Sequence, residues 1–226
     1  MYKIKIEINT KFYYYYVMNK NKIEIVPLGQ NCMPRTILTR WRVKSSKIFG
    51  ELTFPFDLAV FETREITNSI KNDFKEFFYN LNYRNDKQIW VKEPDCIEFV
   101  HDKIFKKKDK EKLIEKYIGR INNFRNIIKN PNPILFVQIL GDCSDIENLN
   151  ECLKEIRKEK PFRFIVIDTQ NITDSCCGID ILKLPFPSEE YKNNWWKKEY
   201  YSTKEGMLFE KQIADFCLKV IEEMII

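Results

Sequence analysis

Residues 134–167 read ILFVQILGDCSDIENLNECLKEIRKEKPFRFIVI, and this stretch decides the fold. Ile134–Leu140 is an apolar run broken only by Gln138, the pattern of a strand buried on both faces. Ser144–Lys158 then sets Ile146, Leu149, Leu153 and Ile156 at helical spacing. Phe162–Ile167 is a second apolar strand, and Ile179–Leu184 reads as a third. Strand–helix–strand alternation with such strands predicts an α/β fold, a three-layer sandwich around a mostly parallel central sheet.

Working outward, Asp109–Lys129 is the longest expected helix on the amino side, with Leu113, Tyr117, Ile121, Phe124 and Ile128 on its inner face. Asn130-Pro131-Asn132-Pro133 ends it. Arg120 and Arg125 are read as part of its solvated face. Gln88–Lys92 and Cys96–Val100 predict an internal hairpin that delivers His101-Asp102 at its exit. Glu65–Tyr79 predicts an amphipathic helix through Ile66, Ile70, Phe74, Phe77 and Phe78. Pro55 argues against a central strand over Phe54–Leu58. Ile23–Leu28 is a further core strand, and a last helix spans Thr203–Met224. Tyr2–Asn9 and Phe12–Met18 read as two short strands, expected to form an added N-terminal β-hairpin. The expected organisation is one α/β domain over 1–226, with a strand extension at 1–20, a core at 23–185 and a C-terminal helix at 203–226.

The chain has 226 residues, 44% hydrophobic and 31% charged, an ordinary globular composition. Its net charge is +5, and basic residues such as those of Lys103–Lys112 lie beside acidic ones. That pattern argues against a nucleic-acid partner, which needs basic residues gathered on one face. No apolar run is long enough for a membrane helix, and Met1–Ile8 has no signal-peptide pattern. Seven cysteines, an odd number, point to free thiols in a reducing cytoplasm. With one histidine and no paired Cys spacing, neither a metal site nor a cofactor is expected.

The strand Ile23–Leu28 stops at Gly29, runs through Gln30-Asn31, and presents Cys32 at the mouth of a helix whose first turn holds Pro34. A helix N-terminus carries partial positive charge, which favours the nucleophilic thiolate. His101 is the chain's sole imidazole, so any thiol–imidazole chemistry within it must use that residue. Asp57 is the first choice to orient the imidazole and Asp102 the second, because adjacent side chains rarely converge on one point. The Gly29–Asn31 turn supplies substrate contacts, with Gln30 or Asn31 and the Cys32 N–H as oxyanion donors. Such a site suits acyl transfer from a small-molecule or peptide substrate. Cys32 also has a plain reading, as a small buried hydrophobe under its helix.

Pro27-Leu28-Gly29-Gln30-Asn31-Cys32, followed by Pro55-Phe56-Asp57, resembles a bacterial family of unknown function classed as papain-like cysteine peptidases. The family pattern continues with an acidic-aromatic helix, matched by Asn72–Phe78, and an "HD" after a short strand, matched by His101-Asp102. Arg120 and Phe124 echo an "RF" helix end, and Leu135-Phe136-Val137-Gln138 a strand "LFVR" with Gln for Arg. The resemblance runs from Ile23 to Asp168 and implies a cysteine nucleophile with a histidine base. It also implies an antiparallel sheet behind the histidine, whereas periodicity predicts a parallel sheet. A Cys after a strand at a sheet's carboxyl edge is similar instead to a nucleophile elbow, yet no Gly-x-Ser-x-Gly is present.

Two other function classes fit the sequence. A parallel sheet holds ligands at its carboxyl edge, so the turns Gly29–Asn31 and Gly141–Ser144 could flank a nucleotide or sugar phosphate without catalysis. Neither turn is a Gly-rich phosphate loop. The aromatic N-terminal strands and Tyr191–Tyr201 could serve a protein partner, although Trp195-Trp196 reads more simply as a cover over the core.

Overall fold

The structure, a computed structural model, describes residues 23–45, 51–93, 97–140, 145–171 and 177–225. The expected N-terminal hairpin, the Gly141–Ser144 turn, Cys96, Cys143 and Cys176 lie outside the described residues.

Strand β1 (Glu24–Pro27) leads to helix α1 (Met33–Arg40), and a 3-10 turn (Pro55–Asp57) precedes β2 (Val60–Phe61). Helix α2 (Thr63–Lys71) is followed by β3 (Leu81–Arg84), β4 (Ile89–Lys92) and β5 (Ile97–Glu98). Helix α3 (Lys110–Lys129), β6 (Ile134–Leu140), α4 (Ile146–Arg157), β7 (Phe162–Asp168) and β8 (Asp180–Lys183) come next. Three helices close the chain: α5 (Glu189–Asn194), α6 (Lys198–Tyr201) and α7 (Lys204–Ile225).

Among the described residues the fold is mixed α/β with two sheets. The first is parallel, in the order β1-β6-β7-β8, and contains the strands read from apolar runs. All seven residues of β6 are buried, which is why that run is continuous rather than alternating. Its side chains divide by parity. Val26, Leu28, Phe136, Phe164 and Val166 join a cluster with residues of α2, α3, α4 and the second sheet. Ile25, Leu135, Val137, Ile165 and Ile167 join another with residues of α1 and α7. Burying each such side chain contributes about 1.5–3 kcal/mol. Tyr191 and Trp195 are buried in that second cluster, while Trp196 is exposed.

The second sheet is antiparallel, in the order β2-β5-β4-β3. The expected internal hairpin is its β4–β5 pair, with Val91 opposite Glu98 and Lys92 opposite Ile97. Strand β2 is too short, and β3 too polar, for periodicity to mark them.

Two readings need correction. The helix expected over Glu65–Tyr79 ends at Lys71, and residues 72–80 turn instead. Asp73 and Phe74 adopt left-handed backbone, with φ of 52° and 60°. The compensation is aromatic: Phe74 and Phe77 are buried against Phe56, Phe61 and Phe124 with ring centroids 5.6–6.0 Å apart. Edge and tilted ring contacts of this kind stabilise beyond their area. The second correction is Arg120, which is 4% exposed rather than solvated.

Arg157 is fully buried and donates to the carbonyls of Ile128, Asn130, Asn132 and Pro161 at 2.8–3.0 Å. It ties the end of α3 to the starts of β6 and β7. The guanidinium fork satisfies carbonyls that the Asn130–Pro133 break leaves without helical donors.

Candidate active site

Cys32 sits where β1 hands over to α1, at the carboxyl end of the parallel sheet. The Leu28 N–H donates to Val137 O at 2.8 Å, carrying the β1–β6 ladder to the edge of the turn. Gly29 is required there, because a Cβ would lie 1.9 Å from the Asn31 carbonyl oxygen. Asn31 Oδ1 accepts the Met33 N–H at 2.8 Å, satisfying one of the unpaired donors of α1. Cys32 occupies the N-cap position and Pro34 lies in the first turn.

His101 arrives from the other sheet. It follows β5 through a tight turn, in which the Asp102 N–H donates to Phe99 O at 3.1 Å. His101 Nε2 lies 2.9 Å from Cys32 Sγ. The thiol is partly buried and the imidazole exposed, so the pair opens to solvent on the histidine side. The helix opened by Cys32 thus follows a parallel strand, while the histidine comes from an antiparallel sheet. The two fold expectations describe different halves of one site.

The electrostatics differ from the thiolate expectation. Burial pushes the Cys32 thiol up to about 11, outweighing hydrogen bonds from the backbone and from Thr36 that pull the other way. Partial desolvation also holds the His101 imidazole below its ordinary value, although the residue is exposed on one side. Asp102 opposes that shift, and Arg120, Lys103 and Lys116 add to it. Desolvation disfavours the charged form of each partner, so the resting pair is a neutral thiol against a neutral imidazole.

The two carboxylates considered as orienters are both buried and occupied elsewhere. Asp57 accepts from Arg35 of α1 and from the Phe54 N–H at 3.1 Å. Burial pushes the Asp57 carboxyl above its ordinary value, against the pull of Lys44, Arg35, the Phe54 N–H and Arg120. Its recorded bonds, among the described residues, stay within the 3-10 turn and α1 and include none to His101. Asp57 therefore ties the Met33–Arg40 helix to the 3-10 turn. Asp102 accepts from Lys116 and, at 2.9 Å, from the Tyr117 hydroxyl, with Arg120 Nη1 3.7 Å away. Arg120 lies 4.4 Å over the Tyr117 ring. Asp102 acts on His101 through its field and by pinning the turn that carries it. The sequence does not reveal Tyr117 and Arg120 as members of this cluster, since their spacing alone reads as a helix face.

The oxyanion candidates are likewise placed. Gln30 Nε2 donates to the Thr63 hydroxyl at 3.3 Å, and Gln30 O accepts from the Phe61 N–H at 3.0 Å. The Asn31 side-chain oxygen is committed to α1, as above. No group of His, Cys, Asp and Glu suited to a metal ion occurs among the described residues, and no described helix is long and apolar enough to cross a membrane.

Comparison with known proteins identifies a family. The family described as "Putative papain-like cysteine peptidase (DUF1796)" matches residues 23–170, and the chain belongs to it. The match spans β1 through β7, and so includes both Cys32 and His101. No curated protein and no solved structure matches.

Proposed function

We propose that this protein is a cysteine-dependent hydrolase or acyl-transferase that works through Cys32 and His101. The observation that carries the reading is the 2.9 Å approach of Nε2 to Sγ, within the reach of a nucleophile and its base. Because the thiol is held up at about 11 and the imidazole is held low, His101 takes the thiol proton as sulfur attacks rather than beforehand. The sulfur bonds to the acyl carbon, and the carbonyl becomes an oxyanion beside the Cys32 N–H and the Gln30 amide. The oxyanion collapses, the bond to the leaving group breaks, and His101 returns its proton to that group. A thioester on Cys32 remains. Water, or another acceptor, then attacks it with His101 again as base, releasing the acyl product and the thiol.

The exposed edge of the pair suits an amide, ester or thioester of a small molecule or peptide. The test uses 4-nitrophenyl acetate as a generic acyl donor. Release of 4-nitrophenolate should be accompanied by an acetyl group on the Cys32 peptide, detected by mass spectrometry. Cys32→Ser and His101→Gln should abolish the labelling. Unlabelled Cys32 in the wild-type protein would remove the reading. Thermal stabilisation by nucleotides or sugar phosphates, with no acylation, would move the balance to a non-catalytic binding module at the same sheet edge.

A further inference from the structure

Gln138 is the single polar residue in β6, and it is fully buried. A carboxamide in such a place is costly unless its hydrogen bonds are made. Its Nε2 donates to the Thr63 hydroxyl at 2.9 Å, but its Oε1 has no partner among the described residues. Leucine would fill this position in the sheet without an orphaned atom, so packing alone does not explain glutamine.

The Thr63 hydroxyl is the meeting point of two glutamines. It stands at the first residue of α2, 2% exposed, and takes Gln138 from the floor of the sheet and Gln30 from the turn before Cys32. Oxygen and nitrogen of a carboxamide are interchangeable in shape. With the Gln138 amide turned over, Thr63 donates to Gln138 and accepts from Gln30, and the chain runs in one direction. Either way, Thr63 holds the Gln30 nitrogen as a donor. The backbone bond from Phe61 to Gln30 O fixes the same residue from β2. Gln30 is thereby tied at both its main chain and its side chain, two residues before the thiol.

We infer that Thr63 and Gln138 are positioning residues, which hold the Gln30 side-chain amide as an oxyanion donor beside Cys32. This inference rests on the proposed acyl-transfer reading and deepens it. A preorganised donor contributes because it needs no reorientation when the oxyanion forms. Gln30 supplies the hydrogen bond, Thr63 sets its direction, and Gln138 sets the direction of Thr63.

The experiment separates two reactions of one sulfur. Acylation by 4-nitrophenyl acetate passes through an oxyanion: the S–C bond forms, the thiol proton moves to His101, and the C–O bond breaks to release 4-nitrophenolate. Alkylation by iodoacetamide displaces iodide at a saturated carbon and forms no oxyanion. Thr63→Val and Gln138→Leu should each slow acylation by about tenfold or more, with the alkylation rate of Cys32 unchanged. Thr63→Ser, which keeps the hydroxyl, should acylate like the wild type. Gln138→Leu removes an orphaned buried atom and is expected to fold even if Thr63→Val does not. Undiminished acylation in Gln138→Leu and any folded Thr63→Val overturns the inference. So does a parallel fall in acylation and alkylation, which would mean a merely structural role. A wild-type protein that is not acylated at all fails earlier, at the hydrolase reading itself.

Discussion

His101 Nε2 approaches Cys32 Sγ to 2.9 Å although 69 positions separate them in the chain. One group ends a parallel strand and the other leaves an antiparallel one. Their meeting is set by the apolar cluster that joins Val26, Leu28 and Phe136 to Phe61, Ile97 and Phe99. The approach of the imidazole to the thiol is therefore coupled to the seating of one sheet against the other.

The resting pair is neutral, and its pH dependence follows. A thiol held up at about 11 by burial, beside an imidazole held low, leaves little thiolate at neutral pH. The alkylation rate of Cys32 by iodoacetamide should climb steadily from pH 6 to about pH 10, roughly tenfold per unit where thiolate limits the rate. A rate plateau beginning below about pH 6 would instead indicate a preformed thiolate–imidazolium pair.

Alkaline stability has a definite sign. Cys32 and Cys152 are held up at about 11 and Cys217 at about 12, all by burial. Their unfolded values lie near about 8.5. The folded state thus keeps protons that the unfolded state releases. The associated stability is complete below the unfolded value and is lost as pH rises through the folded ones. Melting temperature should fall between about pH 9 and pH 11. Cys217→Ala, although it leaves a small cavity, should flatten part of that fall in a pH series of thermal melts.

Asp57 and Asp102 should separate cleanly. Asp57→Ala strands the buried Arg35 and is expected to cost about 3–5 kcal/mol in denaturant unfolding. The acylation rate of the fraction still folded should stay within about threefold of the wild type, since Asp57 touches α1 and not the imidazole. A loss of a hundredfold would restore Asp57 as the orienter.

Tyr117→Phe removes one hydroxyl from Asp102 and leaves the ring that packs on Phe99 with centroids 4.7 Å apart. Stability should drop by about 1 kcal/mol. Because Asp102 raises the proton affinity of His101, Asp102→Asn should lower the imidazole's titration point further. Nuclear magnetic resonance titration of the single histidine reads this directly, and an upward shift would contradict it.

Arg157→Met keeps most of the apolar stem but removes the guanidinium from four carbonyls, of which Pro161 O keeps the Ile134 N–H at 3.2 Å. The expected loss is about 3 kcal/mol or more, from the desolvation cost of orphaned acceptors. Equal unfolding midpoints for variant and wild type would show that water replaces the fork.

Strands β6 and β7 were readable because burial on both faces leaves continuous apolar runs, Ile134–Leu140 and Phe162–Ile167. Helices α3, α4 and α7 were readable for the same reason, at a period of 3.6. The segment after Lys71 was misread because Phe74, Phe77 and Phe78 keep helical spacing while the backbone turns through left-handed conformations. Propensity over Glu65–Tyr79 loses there to aromatic packing. Strands β2 and β5 are two residues each, shorter than any period can register.

By itself the sequence determined which segments bury apolar faces, that a cysteine follows a strand and opens a helix, and that a single imidazole is available. These are local properties, written within a few turns of chain. Only the tertiary structure decided that Asp57 serves α1, that Asp102 is clasped by α3, and that Gln138 reaches Thr63 across 75 positions. Those partnerships depend on how whole faces dock, and the docking energy is spread over many apolar side chains, none of which names the polar contact it brings about.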